Sequence, residues 1–249
     1  MESVIARVLK DPKQSIKGMR LLRFARNDRG LVSDLEGHPT RKVSDPERGV
    51  TPSVKKVMQR SRVTNLFIAL LHYPVYNKNY IETASAITTL DIHDIARVAR
   101  TYGVRRYFIV TPLRDQRELA YKVIKHWTDG YGSVYNPLRK EALKLVSIKS
   151  SLDEVIEDIE RVEGKRPILI ATDARRYNDK KMISYEGLRK LIMQERLILI
   201  LFGTAWGLTE EFINKMDMLL EPIEGYTDYN HLSVRSAAAI ILDRLLGKN

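Results

Sequence analysis

From residue 65 onward, short apolar runs alternate with longer segments of helical periodicity, and this alternation limits the folds open to the chain. The apolar runs are short enough to be buried strands. They lie at residues 66–71, 107–110, 167–171, 197–202 and 218–220, with a less certain run at 145–148. The helical segments lie near residues 83–102, 115–127, 151–163, 184–194, 209–215 and 231–246. This pattern predicts an α/β fold, a mostly parallel sheet with helices on both faces.

Positive charge is concentrated before this region. The formal net charge is +11, and residues 1–64 hold 15 Lys and Arg against 7 Asp and Glu, which leaves +3 for the other 185 residues. Prolines, glycines and weak periodicity predict that residues 1–62 are a basic, poorly ordered leader and that residues 63–249 form the folded domain. The leader is interpreted as a solvated extension, as an arm that contacts RNA phosphates, or as sequence upstream of a natural start at Met58.

Composition excludes several classes of protein. The chain has no cysteine, which excludes disulfides and cysteine-only metal sites and fits a reducing compartment. No apolar run has the length of a membrane-spanning helix, and the first residues lack the apolar core of a signal peptide. We therefore expect a soluble, cytoplasmic protein with no membrane partner.

Two late segments, residues 197–207 and 219–241, each run from an apolar strand through a tight turn into a helix. Exposed backbone N–H and C=O groups in such turns can hold a ligand. The turn GTAWG lacks the Lys-Ser/Thr ending of a phosphate-binding loop and has too few glycines for a dinucleotide fingerprint. Its small residues leave room for an aromatic base against the backbone. The sequence predicts a small-molecule pocket between the two turns, although the first turn alone could be an ordinary strand-to-helix connection.

One carboxylate falls where a helix should face the core. Asp91 lies on the apolar stripe of the first predicted helix, so it needs a partner. We expect Asp94 to form a surface pair with Arg97. His72 and His93 make a metal site conceivable, but their spacing is not typical of one, and no metal is predicted. The chain also lacks a nucleophile elbow and a Ser/His/Asp signature.

The last predicted helix has polar residues at its start. Asn230 precedes it and is interpreted as its N-cap, with Ser233 and Arg235 in the first turns. Gly247 is the predicted C-cap. The apolar stripe of this helix consists of Val234, Ala238, Ile241 and Leu245.

Five motifs in order resemble one known group of proteins. They are LLHYPVYNK, TLDIHDIARVARTYGV, WTDGYGSVYNPLRKEAL, LFGTAWGL and LEPIEGYTDYNHLSVRSAAAIILDRL, and together they run from about residue 65 to 247. In these five motifs the chain is similar to the bacterial RNA methyltransferases of the SPOUT superfamily, which bind S-adenosylmethionine. The resemblance implies a C-terminal deep trefoil knot, a rare exception to unknotted topology, with the cofactor bound in the knot of a homodimer. It implies methyl transfer to a base nitrogen or ribose oxygen of transfer or ribosomal RNA.

The resemblance also implies which residues form the site. Three loops are expected to contact the cofactor through Ala171, Thr172, Phe202, Gly203, Thr204, Ala205, Trp206, Gly207, Leu208, Leu220, Pro222, Ile223, Tyr229, Asn230, His231 and Leu232. Asn230, Ser233 and Arg235 are expected to position the acceptor, with His231 or Asp91 as its base. A carboxylate or phosphate anchor across the dimer is the alternative role for Arg235. The residues expected to contact RNA are His72, Asn77, Arg97, Arg175 and Arg176.

Two features depart from the family pattern. Ala205 stands where a second glycine is usual, and its methyl group would strain the turn by roughly 1 kcal/mol if that position requires a positive φ. The stretch ARRYNDKKM is longer and more basic than is typical, and it forms either an RNA-facing loop or a solvated one. Its cations, with one nearby, are Arg175, Arg176, Lys180, Lys181 and Arg189. A knotted RNA-binding or regulatory module without catalysis is therefore the alternative function.

Overall fold

The computed structural model describes residues 64–177 and 181–248. The predicted leader, residues 1–62, and Lys180 of the basic loop lie outside these ranges. Within the described residues, none of the helices combines the length and the apolar character needed to cross a bilayer.

Seven strands form one sheet in which every pairing is parallel, in the order β5-β4-β1-β8-β6-β9-β7. The central strands β1 and β8 are buried along their length, as expected for a parallel sheet covered on both faces. The remaining two strands, β2 and β3, form a separate antiparallel hairpin. The strands are β1 (Leu66–Leu71), β2 (Val75–Tyr76), β3 (Glu82–Thr83), β4 (Arg106–Val110), β5 (Val146–Lys149), β6 (Ile168–Ala171), β7 (Met182–Ile183), β8 (Ile198–Gly203) and β9 (Met218–Leu220).

Helices connect the strands, and several begin at a side chain that caps the first turn. Ser151, Ser184 and Thr209 each accept a hydrogen bond from a backbone N–H three residues later, which satisfies one of the free donors of a helix start. The helices are α1 (Thr89–Thr101), α2 (Arg114–Thr128), α3 (Tyr131–Tyr135), α4 (Pro137–Leu143), α5 (Leu152–Glu163), α6 (Tyr185–Met193), α7 (Glu210–Asn214) and α8 (Val234–Leu246).

The sheet separates two apolar clusters, because successive strand residues point to opposite faces. On one face, Leu66, Ile68 and Leu70 of β1 pack with residues of α1, α2, α4, α6 and α8. On the other face, Phe67 and Ala69 pack with residues of α5 and α7. Helices therefore cover both faces, and the predicted α/β class is confirmed.

The six predicted strands are all present, and the differences lie in local elements. Helix α1 begins at Thr89 rather than near residue 83, because residues 82–83 pair in the hairpin. This hairpin was not predicted from the sequence, and neither were the short edge strand β7 and the helices α3 and α4. All of these elements are short, so each carries little periodicity. The threading of the chain into a knot stays a prediction.

Candidate cofactor site

A cavity of about 740 Å³ lies at the carboxyl ends of β6, β8 and β9. This edge of an open parallel sheet is where such folds place ligands. One side consists of residues 202–207, called the turn wall below, and another of residues 230–234, called the helix wall. The cavity is completed by residues 172–175 and 221–223, by Tyr80, Ser85, Ala86, Thr88 and Asp91, and by Ala237 and Ile241 of α8.

The turn wall follows the buried strand β8 and is closely packed. A Cβ atom at Gly203 would lie 2.8 Å from the backbone nitrogen of Leu208, so a larger residue does not fit without movement. Ala205 has a φ of +52° and Gly207 a φ of +92°, in the left-handed region that favours glycine. Position 205 therefore does require a positive φ, and Ala205 carries strain on the order of 1 kcal/mol.

The β2–β3 hairpin fixes the backbone of the turn wall. The Tyr76 N–H donates to the Gly207 carbonyl at 2.9 Å, and the Trp206 N–H donates to the Tyr76 carbonyl at 3.1 Å. Val75 and Leu208 pair in an isolated antiparallel bridge. These main-chain bonds hold the turn independently of most of its side chains.

Asp173 and Arg175 tie the loop after β6 to the same turn. The Arg175 Nη2 donates to Asp173 Oδ2 at 2.7 Å and to the Leu208 carbonyl at 2.9 Å. The guanidinium also lies 5.5 Å from the ring centre of Tyr76. The hydrogen bond to Asp173 raises the pKa of Arg175 further above its usual range. Arg175 therefore helps to hold the cavity wall, and its predicted contact with RNA stays a prediction.

The helix wall is held by fewer contacts. The Asn230 Nδ2 donates to the Ala174 carbonyl at 2.8 Å, which joins this wall to the loop after β6. Ser233 caps α8 by accepting from the Ser236 N–H at 3.3 Å. The predicted N-cap, Asn230, is therefore wrong, because its amide is engaged elsewhere and α8 begins later. The predicted C-cap, Gly247, is confirmed.

Arg235 joins α8 to α1 behind the helix wall. Its Nη1 donates to Asp91 Oδ1 at 3.2 Å, and its Nε lies 3.5 Å from Asp94 Oδ2. Thr88 Oγ1 donates to Asp91 Oδ2 at 2.6 Å. The carboxylate of Asp91, only 6% exposed, thus has the partner that its position required. The predicted Asp94–Arg97 pair is wrong, because Asp94 faces Arg235.

The ionisable groups of the cavity wall are mainly acidic. Asp91, Asp173 and Glu221 line it, with Arg175 as the one guanidinium among its described lining residues. Because Arg175 pairs with Asp173 and Arg235 pairs with Asp91, the remaining negative charge among these groups is that of Glu221. Within residues 64–177 and 181–248, no cluster of three or more His, Cys, Asp or Glu side chains is arranged to hold a metal ion.

Most residues predicted to contact the cofactor line this cavity. They are Thr172, Phe202, Gly203, Thr204, Ala205, Trp206, Gly207, Pro222, Ile223, Asn230, His231 and Leu232. Four others do not line it. The side chains of Ala171, Leu208 and Leu220 are buried in the apolar core, and that of Tyr229 is 74% exposed and packs against the ring of His231.

The predicted acceptor-side residues also converge. Asn230, His231, Ser233 and Asp91 line the cavity, and Arg235 reaches it through Asp91. The chemical role of each stays a prediction.

The predicted RNA contacts are dispersed. His72 is completely buried, so its prediction as an RNA contact is wrong. Asn77 caps its own loop, because its Oδ1 accepts from the N–H groups of Asn79 and Ile81. Arg97 is exposed. Arg176 is 73% exposed and pairs with Glu224. Arg97 and Arg176 remain predicted RNA contacts.

The wall formed by the residues before α1 was not predicted from the sequence. Ser85 and Thr88 line the cavity, although neither was a candidate. A signal for Thr88 was present, because Thr88 and Asp91 have the spacing of a capping box. Thr88 does cap α1 by accepting from the Asp91 N–H at 3.2 Å. Ser85 carries no comparable signal, since only the packing of the hairpin brings it to the cavity.

Comparison with known proteins finds two relatives that match about three quarters of this chain. A protein of uncharacterised function from Aquifex aeolicus is 47% identical over 186 residues, which cover 74% of this chain and 90% of that protein. A protein named tRNA (guanine-N(1)-)-methyltransferase from Oleidesulfovibrio alaskensis is 48% identical over 183 residues. That match covers 74% of this chain and 42% of the relative, so the chain spans less than half the length of this relative.

A solved structure supports the fold. The crystal structure of a putative methylase family protein from Neisseria gonorrhoeae aligns with a TM-score of 0.50 at 18% identity, covering 75% of this chain and 83% of that one. The family profile described as SAM-dependent RNA methyltransferase matches residues 65–247. The match includes every strand and helix given above. The chain belongs to this family of S-adenosylmethionine-dependent RNA methyltransferases.

Proposed function

We propose that this chain binds S-adenosylmethionine in the cavity between the turn wall and the helix wall and transfers its methyl group to structured RNA. One observation carries the proposal. The loops that the family resemblance assigns to the cofactor, after β6, β8 and β9, come together around a single cavity of about 740 Å³. They are separated in sequence, so their convergence depends on the fold.

The residues present fit this cofactor. When bound, S-adenosylmethionine supplies a methyl group on a sulfonium, which already carries the activation. The carboxylate of Glu221 suits a cationic ligand, whereas Asp91 and Asp173 are paired with Arg235 and Arg175. Gly203 and Gly207 contribute only main-chain groups to the turn wall, and Pro222 and Ile223 provide apolar contact. The chain's own task is to align the methyl group with the acceptor and to exclude water.

The acceptor proton must pass to a base as the new bond to carbon forms. Both oxygens of Asp91 already accept hydrogen bonds, from Arg235 and from Thr88. These bonds engage both oxygens of the carboxylate in holding α8 against α1. His231 lines the cavity with an exposed side chain. We therefore favour His231 as the base, with Asn230 and Ser233 positioning the acceptor.

The atom of RNA that accepts the methyl group is either a base nitrogen or a ribose oxygen. The relative from Oleidesulfovibrio alaskensis and one from Nitratidesulfovibrio vulgaris, 43% identical, are both named tRNA (guanine-N(1)-)-methyltransferase. The aligned region is 42% of each, so the name describes proteins that contain much more chain than this one. Guanine N1 of transfer RNA is accordingly the first acceptor to test.

Two measurements on the full chain test the proposal. Titration calorimetry with S-adenosylmethionine reports on the cavity, and transfer of a labelled methyl group to total RNA reports on the reaction. We expect binding, and we expect transfer to fall about a hundredfold or more in a His231→Ala variant, as for the loss of a general base. Binding without transfer to any RNA would support the alternative of a non-catalytic module. Absence of binding would refute the cofactor assignment and, with it, the methyltransferase proposal.

The trefoil knot, the homodimer and a cytoplasmic location are part of the same proposal. The knot and the homodimer rest on the family resemblance, and the location rests on the cysteine-free composition. Light scattering coupled to size exclusion tests the homodimer, because a dimer of this 28.7 kDa chain has twice that mass.

A further inference from the structure

Three polar side chains form a hydrogen-bonded chain beneath the turn wall. His72 Nδ1 lies 2.9 Å from Ser85 Oγ, and Ser85 Oγ lies 2.6 Å from Thr204 Oγ1. Thr204 Oγ1 in turn lies 3.1 Å from the Leu71 carbonyl oxygen. Ser85 and Thr204 line the cavity, whereas His72 is completely buried behind them. The reaction proposed above assigns no role to His72 or Ser85.

Counting protons fixes the direction of every bond in this chain. Each hydroxyl group has one proton to donate, and a carbonyl oxygen has none. The proton of Thr204 must therefore go to Leu71, so Ser85 must donate to Thr204. His72 must then supply the proton for its own contact with Ser85. Any other assignment leaves one of the three contacts without a proton between its atoms.

The protonation state of His72 follows from its surroundings. Burial lowers the pKa of His72 to about 4, although the charge of Asp91 and the backbone of Ala86 act in the opposite direction. At neutral pH the ring is uncharged and carries its single proton on Nδ1. The buried Nε2 makes no hydrogen bond of regular geometry among the described residues. A proton on Nε2 instead of Nδ1 would break the chain to Ser85.

We propose that His72 is a positioning residue for the cofactor turn, which it serves by holding Ser85 and Thr204 in one orientation as the neutral Nδ1–H tautomer. The inference rests on the proposed function, since it assumes that the cavity binds S-adenosylmethionine. With their protons committed within the chain, both hydroxyl groups offer only acceptor capacity to a ligand. They therefore select a cationic or hydrogen-donating group on this side of the cavity.

The tautomer can be measured without any ligand. We expect ¹⁵N resonances of histidine-labelled full chain at neutral pH to show a protonated Nδ1 and an unprotonated Nε2 for His72. The chain has five histidines, and the resonances lost in a His72→Asn variant identify those of His72. A protonated Nε2 with a bare Nδ1 would overturn the proposal whatever the protein binds.

Two variants test the consequence for binding. In His72→Asn the side-chain amide places an N–H near the position of Nδ1, whereas in His72→Gln it lies near the position of Nε2. We expect the Kd for S-adenosylmethionine to stay near the wild-type value in His72→Asn and to rise about tenfold in His72→Gln, as for a lost hydrogen bond. Equal Kd values in the two variants, with equal thermal stability, would contradict the positioning role.

Failure of the proposed function can be distinguished from failure of the positioning role of His72. If the wild-type chain binds no S-adenosylmethionine, the cofactor assignment is refuted. The tautomer measurement then still decides whether the hydrogen-bonded chain exists as described.

Discussion

The two walls of the cofactor cavity are held in different ways. The turn wall extends from a central strand, and main-chain hydrogen bonds from Tyr76 fix Trp206 and Gly207. The helix wall extends from a loop with mostly exposed residues, and the Asn230 amide joins it to Ala174. Behind it, the Arg235–Asp91 pair fixes the start of α8 against α1. The turn wall therefore depends on backbone shape, and the helix wall on a few side-chain pairs.

This difference suggests a division of tasks. A cofactor held mainly by main-chain groups needs a wall whose geometry does not vary. An RNA acceptor has to enter and leave, which favours a wall whose local stability is low.

The turn wall should be the more sensitive to acid, because His72 lies beneath it. The pKa of His72 is about 4 in the folded chain and 6.5 when unperturbed, so the unfolded chain binds more protons between these values. Its stabilising contribution is complete above about pH 6.5 and is lost as the pH falls toward 4. Between pH 7 and 4, wild type should lose about 3 kcal/mol of unfolding free energy relative to His72→Asn. Urea denaturation at several pH values measures this, and parallel profiles would exclude it.

Gly203→Ala should destabilise the turn wall by about 2 kcal/mol, because the added methyl group forces the backbone and side chain of Leu208 to move. Binding of S-adenosylmethionine should weaken as well. Gly225→Ala is the matched control, since a Cβ atom there meets no atom within 4 Å. Urea denaturation and calorimetry compare the variants, and equal values would show that the close packing at Gly203 carries no cost.

Asp91→Asn should destabilise the chain by about 1.5 kcal/mol, because it removes the charge that faces Arg235 in a partly buried pair. Asp94→Asn is the control. Its carboxylate is 46% exposed, so we expect a loss below about 0.5 kcal/mol. Thermal unfolding of both variants tests the ranking. A larger loss in Asp94→Asn would mean that the outer carboxylate anchors the helix wall.

Ala205→Gly should have the smallest effect and a favourable sign. Glycine relieves the strain of the positive φ at this position, but it also has greater conformational freedom in the unfolded chain. The net result should be an increase of about 0.5 kcal/mol in the free energy of unfolding. Gly207→Ala introduces the opposite change and should cost about 1 kcal/mol. The two variants should therefore shift the unfolding midpoint in opposite directions. Shifts of the same sign would indicate that φ is not the controlling property of this turn.

The sequence predicted most of the strands and helices correctly, because their signals lie in neighbouring residues. Central strands such as β1 are continuous apolar runs, and the helix start at Ser151 has a capping side chain in the adjacent sequence. The start of α1 was misplaced although Thr88 and Asp91 have capping-box spacing, because the preceding residues also fit a helical stripe. Only the pairing of residues 82–83 with β2 decides that they are extended.

The sequence alone determined the α/β class, the turn that carries Ala205, and the need of Asp91 for a partner, because each follows from residues close together in the chain. Tertiary structure decided that the partner is Arg235, 144 residues away, that His72 is buried rather than exposed, and that Ser85 reaches Thr204 at the cavity wall. The physical reason is that periodicity and capping act over a few residues. The position of a polar group relative to distant elements is fixed only when the sheet and its helices pack.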